Sequence, residues 1–435
     1  MNRLSSFPRL ARAATGLAFI GTLSLFAQAS DAGAKLEYVA VLSRHGSRAA
    51  LVSADTLAEY SSQPWPVIGV PVGYLTARGR WQMQLMGAYD RQYLEQQGIV
   101  THAPGCEDAS HFYFRADGIQ RDIESARAMA WGMFPDCKVA IHAPPIGTPD
   151  PMFLTATTAG LFDHEAAGAA IEGRTGGDPL RILRSHATEA DIVGKILIGG
   201  GPAPKRTLFT PPPPTGDRYA RVTAPISAIS AVTDALLLEY EEGLPTSETG
   251  WGRLNETNLP ALLSLHEAMV DLTWDVPLIA RARGSNLLAH MLRSMQQAVS
   301  GVPVEGALGN PGDKGLFVLG HDSDFGNLAT MLSLSWFLES FPARATPPNA
   351  ALMFEIRRDA SGRRTVRVSI VGQTITQIHD SVTPTPQTPP MKVAVFIPAC
   401  SATSDGFPCE WDAFRQAMES AIDTRQIRPE AASWR

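Results

Sequence analysis

Two apolar runs far apart in the chain constrain its fold more than any other feature. Residues 35–43 read K-L-E-Y-V-A-V-L-S, and residues 316–319 read L-F-V-L. Both are mostly apolar and rich in β-prone residues, so neither has a full polar face to turn to water. Such strands belong inside a sheet that is covered on both sides. Each ends in a histidine-bearing turn: Arg44-His45-Gly46-Ser47-Arg48 after the first, Gly320-His321-Asp322 after the second. In open α/β sheets ligands bind at the carboxyl ends of strands. Two such turns can therefore converge on one ligand.

The other periodicities supply the rest of the architecture. A helical pattern covers 78–97, and Phe112, Tyr113 and Phe114 suggest a strand. After Arg121 a helix carries Ile123, Ala126, Met129, Ala130 and Met133 on one face. Another follows His321-Asp322, with Phe325, Leu328, Ala329 and Leu332. Residues 351–356 and 365–371 read as a hairpin about Asp359-Ala360-Ser361-Gly362. The middle, 152–285, reads as largely helical. The Pro-rich stretches 210–215 and 382–390 are extended connectors. The expected fold is α/β: a mixed central sheet flanked by helices, built from 30–151 and 286–435, with a largely helical domain, 152–285, inserted.

Residues 1–29 are expected to be a leader rather than fold. Arg3, Arg9 and Arg12 precede the apolar run 13–27, and Ala27-Gln28-Ala29 fits a small-x-small cleavage site. A membrane anchor is the rival reading, but the run is short for a span. No later segment reads as long and apolar enough to cross a bilayer. The chain is therefore expected in the periplasm or secreted, with no membrane contact once the leader is removed. Loss of the three arginines takes the formal charge from −6 to about −9. With Lys+Arg at 37 against Asp+Glu at 43, there is no basic excess for nucleic acid, and an anionic ligand must meet a local arginine cluster. Of the four cysteines, Cys400 and Cys409 bracket a short polar loop and are the natural local pair, which leaves Cys106 with Cys137; three pairings are open in principle. A metal site finds little support, since no C-x-x-C spacing occurs.

The two turns carry the residue types that phosphate-ester chemistry requires. Arg44 and Arg48 can grip a dianion through planar forks. Gly46 lets backbone come close. An imidazole can act as a covalent nucleophile, and a carboxylic acid can protonate a departing alcohol. Taken singly the residues have plainer readings: His45 as a structural hydrogen-bonder, Asp322 as a helix cap, Arg48 as a solvated charge. The conjunction after two buried strands sets those aside.

On these motifs the chain resembles the histidine acid phosphatases, in the branch of bacterial periplasmic phytases and glucose-1-phosphatases. Supporting stretches are G-Y-L-T-A-R-G (73–79), P-D-C (135–137), G-W-G-R (250–253), L-L-S-L-H-E (262–267), T-P-P (346–348) and the 400–409 loop. The resemblance implies a phosphoglycerate-mutase-like sheet domain and the pairings Cys106–Cys137 and Cys400–Cys409. It implies that His45 becomes a phosphohistidine and that Asp322 donates the proton. Arg44, Arg48, His321 and Arg121 would hold the phosphoryl group, and Arg283 matches an arginine that contacts substrate in the phytases. No metal and no cofactor are implied, and the expected partner is a small phosphomonoester such as a sugar or inositol phosphate. The chain departs from the phytases at Ala49-Ala50-Leu51, where they usually carry Pro-Thr-Lys, and at Asp324, where relatives often carry Asn. The narrower alternative is a glucose-1-phosphatase. A non-catalytic periplasmic phosphate-ester binding protein is the alternative of another class, opposed by the complete residue set. A mutase is opposed by the His-Asp pair and the leader. Substrate, pH optimum and oligomeric state stay open at this level.

Overall fold

The computed structural model describes residues 33–101, 105–153, 163–211, 213, 215–431 and 434; the leader expected at 1–29 lies outside them. Eight strands form one mixed sheet: β1 (Lys35–Arg44), β2 (Phe112–Ala116), β3 (Ile141–His142), β4 (Gly315–Gly320), β5 (Ala351–Arg358), β6 (Arg364–Gly372), β7 (Met391–Ala394) and β8 (Cys409–Glu410). The order is β3-β2-β4-β1-β5-β6-β7, with β8 also paired to β6. Strands β3, β2, β4 and β1 run parallel, and β5, β6 and β7 are antiparallel to their neighbours. Three strands are illegible in the sequence. β3 and β8 have two residues each, and β7, M-K-V-A, follows a Pro-rich connector.

The unbroken apolar character of β1 follows from its central place. Ala40 and Leu42 point to one face, where they join Leu316, Val318, Phe325 and Leu288. Val39 and Val41 point to the other, with Phe114, Phe317, Met83 and Met129. Helices α1 (Ala77–Gln96) and α2 (Gln120–Met133) supply the cover on that second face.

A third core is helical. It draws on α3 (His164–Thr175), α4 (Ala187–Ile198), α5 (Arg218–Glu241) and α6 (Leu259–Trp274), joined by Leu57, Tyr60 and Trp65 from the connection after β1. Helix α7 (Pro277–Ser300) serves both layers: Ile279 and Ala282 lie in the helical core, Leu287, Leu292 and Met295 in the sheet core. One sequence expectation is corrected here. Helix α5 is long and apolar enough to cross a membrane by length and composition. Its most apolar window is 67% buried inside the protein, and it carries the buried acids Asp234, Glu239 and Glu241. Packing on neighbouring helices accounts for that hydropathy.

The last framing helices are α8 (Asp322–Leu332) and α9 (Trp411–Ala421). Disulfides join Cys106 to Cys137 and Cys400 to Cys409.

Candidate active site

The two histidine turns meet because β1 and β4 are adjacent and parallel. Their last register pair is Arg44 with Gly320, and the His45 amide donates to the Gly320 carbonyl at 3.0 Å. The His45 and His321 rings stand edge to face, centroids 5.7 Å apart, and both side chains are buried. The loop after His45 is held by the start of α1. Thr76 caps that helix, and its amide and hydroxyl both donate to the Ser47 carbonyl, at 3.1 and 3.2 Å. Gly79 must be glycine for this: a Cβ there would stand 2.1 Å from the Ser47 oxygen. The G-Y-L-T-A-R-G stretch is thus the clamp on the first motif.

His45 is tuned toward neutrality. Its Nδ1 donates to the Gly46 carbonyl at 2.8 Å, which leaves the lone pair on Nε2. Burial disfavours the charged ring, and Arg121, Arg44, Arg48 and His321 repel a proton further, so the pKa falls well below the ordinary histidine value.

The arginines are held by acids from distant segments. Arg44 pairs with Asp322 at 2.9 Å and donates to the Thr346 carbonyl, which explains the T-P-P stretch. Arg48 makes a forked pair with Asp234 on α5, at 2.9 and 3.3 Å. Arg121, on the first turn of α2, donates to the Gly73 carbonyl at 3.4 Å, and its Nη2 lies 3.3 Å from His321 Nδ1. Glu241 and Glu267 act on Arg44 from the helical layer, and burial pushes both carboxyls up to about 8.

His321 is tuned the opposite way. Its Nε2 faces Asp117 at 2.7 Å and Asp122 at 3.6 Å. Burial opposes its charge, but Asp122 and Asp117 outweigh burial and raise the pKa to about 9. An imidazolium cannot accept from Arg121, so the two groups are both donors, and one anionic oxygen between them can accept from both. By spacing, Asp117, Asp122 and His321 are the one group among the described residues able to hold a metal ion. A metal there would have to displace the ring proton that Asp117 holds.

The cap of α8 falls on different residues from those the plain reading of Asp322 suggests. His321 is the N-cap residue, and the Asp324 carboxylate reaches back to its amide at 2.8 Å. Asp324 therefore serves the helix start. Asp322 faces Arg44 instead. Burial alone would raise its carboxyl, but Arg44, Arg48, His321 and His266 bring it down to about 2.

Arg44, His45, Arg48, Arg121, His321 and Asp322 thus come together. The described contacts of Arg283 are with Tyr219, whose hydroxyl it reaches at 3.0 Å. Sequence reasoning passed over the supporting acids Asp117, Asp122, Asp234, Glu241 and Glu267, and over His266. The last two lie inside the L-L-S-L-H-E stretch.

Buried arginines, two histidines and a carboxylate at parallel strand ends make a set chemically able to hold a phosphoryl group. Residues 35–169 match the family described as the histidine phosphatase superfamily (branch 2). Phytase AppA of Escherichia coli (strain K12) is 29% identical over 419 residues, 92% of this chain and 94% of the relative. A glucose-1-phosphatase of Providencia rettgeri is 26% identical, covering 89% of this chain and 92% of that protein. The structure of Hafnia alvei phytase in complex with tartrate superposes with a TM-score of 0.81 at 28% identity, over 92% of this chain and all of that one. Along nearly its whole length the chain is similar to histidine acid phosphatases, and residues 35–169 carry the match to the histidine phosphatase superfamily. It is a phosphoric monoester hydrolase.

Proposed function

We propose that the protein hydrolyses small phosphomonoesters in two steps through a phosphohistidine at His45. The observation that carries this reading is the pair of buried imidazoles 5.7 Å apart, one among Arg44, Arg48 and Arg121 and the other bonded to Asp117 at 2.7 Å, which favours a neutral His45 and a charged His321. Environments that push two neighbouring groups apart assign their roles. His45, neutral with Nε2 unprotonated, is the nucleophile; charged His321 is a phosphate ligand with Arg44, Arg48 and Arg121. Nε2 attacks phosphorus, the bond to the ester oxygen breaks, and Asp322 gives that oxygen a proton. A water then attacks the phosphohistidine, Asp322 takes its proton, and phosphate leaves.

The low pKa of Asp322 means its proton must arrive with the substrate. Below a second phosphate pKa of about 6 the ester binds as a monoanion. Its proton passes to Asp322 as the phosphoryl charge offsets the four cations around it. That origin suits turnover on the acid side of neutrality.

The relatives' names, phytase and glucose-1-phosphatase, make inositol and sugar phosphates the reference substrates. The two disulfides suit the periplasm or the exterior. The domain reading belongs to the same proposal: the sheet domain (30–151 and 286–435) carries the histidines, and the inserted segment (152–285) braces Arg48 through Asp234 and would offer Arg283 to the substrate.

A covalent intermediate is tested by partitioning. With glycerol added, the ratio of glycerol phosphate to inorganic phosphate is expected to be the same for every ester, because all pass through one phosphoenzyme. A ratio that changes with the ester would mean direct attack by water.

The Asp117–His321 pair makes a separate prediction about pH. Asp117→Asn removes the carboxylate at 2.7 Å from His321, so the ring loses its proton at lower pH. Inorganic phosphate is expected to inhibit this variant roughly tenfold less well at pH 8, with little change at pH 5. Inhibition constants that track wild type across that range would remove Asp117 from this role.

A further inference from the structure

An exposed apolar strip lies beside the arginine and histidine cluster, and its backbone is tied to that cluster. Residues 48–51 run antiparallel to 72–75. Arg48 bridges Leu75, the Ala49 amide donates to the Tyr74 carbonyl at 2.9 Å, and the Gly73 amide donates to the Ala50 carbonyl at 2.9 Å. Residues 71–74 then turn, with the Tyr74 amide donating to the Pro71 carbonyl at 3.0 Å, and Leu51 lies beside Gly73 of that turn. The strip begins at one phosphate ligand, Arg48, and touches another, since the Gly73 carbonyl accepts from Arg121. Leu51 and Arg121 flank the same point: a Cβ on Gly73 would lie 3.3 Å from Leu51 Cδ2 and 3.6 Å from Arg121 Nη1. Large apolar side chains are exposed along this strip, Leu51 at 50%, Val72 at 52% and Tyr74 at 39%. Exposed apolar groups gathered beside a binding site mark a contact surface.

The charge around the pocket points the same way. Asp234, Glu241, Glu267 and Asp322 face Arg44, while Asp117, Asp122 and Asp324 surround His321. The cations suffice for one phosphoryl group, and two of them are already paired with Asp322 and Asp234. A polyanion would meet Leu51, Val72 and Tyr74 on this side, where it needs further cations.

Resting on the phosphomonoesterase reading above, we infer that Leu51, Val72 and Tyr74 form a specificity lip for esters whose alcohol carries an aromatic or apolar group next to the phosphoryl group. The lip selects them over polyphosphorylated esters. The ring of such an alcohol lies on Leu51 and Tyr74 while the phosphoryl group occupies the arginine and histidine cluster.

Three esters of alkyl alcohols test this without the help of a good leaving group: benzyl phosphate, glucose 6-phosphate and phytate. Wild type is expected to show a kcat/KM for benzyl phosphate about tenfold or more above either other ester, as burial of one ring face allows. Leu51→Lys is expected to shift the phytate-to-benzyl ratio by about tenfold toward phytate, and Leu51→Thr to lower the benzyl value without raising phytate. Leu51 is half exposed, and thermal unfolding confirms that each variant folds. A wild-type preference for phytate, or a ratio indifferent to both variants, would overturn the lip. Failure of wild type to turn over any of the three would instead remove the phosphomonoesterase reading, and the lip with it.

Discussion

His45→Ala is expected to lower kcat by at least about 10⁴ on every phosphomonoester while the protein stays folded. Loss of a covalent nucleophile removes the pathway, not a fraction of a barrier. The structural cost is small by comparison. The side chain's hydrogen bond to the Gly46 carbonyl is lost, worth about 1 kcal/mol. The backbone of the turn keeps its bonds to Gly320, Ser125 and Asn349. The four proposed phosphate ligands remain, so KM and inhibition by phosphate should move far less than kcat. A site in which His45 merely helped to hold phosphate would behave in reverse, with a modest loss of kcat and a larger rise in KM. Thermal unfolding and phosphate inhibition, measured beside turnover, separate the two.

Asp322→Asn is expected to lose about 10²–10⁴ on sugar or inositol phosphates and much less on 4-nitrophenyl phosphate. A sugar alkoxide is a strong base and leaves badly unless protonated, whereas nitrophenolate needs little help. The cap of α8 by His321 and Asp324 is untouched and Asn can still accept from the Ser323 amide, so the stability change is that of the lost Arg44 ion pair, read separately by thermal unfolding. The substitution also removes a negative charge 2.9 Å from Arg44, so phosphate should bind at least as tightly as before. A small loss equal on both substrates would take Asp322 out of proton transfer. A large equal loss would assign it to placing the phosphate or the attacking water.

What was legible in the sequence, and what was not, follows from how far each signal reaches. β1 and β4 announce themselves because both faces of each strand are buried, and α2 and α8 because one face is. The two histidine turns stand out because they end those strands. The acids that tune the site carry no such local mark. Asp234 meets Arg48 across 186 residues of chain and Asp117 meets His321 across 204, and no spacing rule spans that distance. Asp117 had one available signal, since it too follows a buried strand. The opposite tuning of two histidines was likewise invisible, because it arises from which charges the fold brings around each ring. Asp324 shows the converse: a departure from the relatives' usual Asn in the sequence, it reaches back to the His321 amide at the start of α8.

The central claim is tested most directly by trapping the intermediate. An ester labelled with ³²P in its phosphoryl group is mixed with the enzyme and quenched within milliseconds in alkali, where phosphohistidine survives, and the labelled peptide is sequenced by mass spectrometry. The predicted result is label on the tryptic segment that contains His45, lost on mild acid treatment and absent from His45→Ala. Label on His321, or rapid turnover with no labelled peptide at any quench time, would contradict the mechanism.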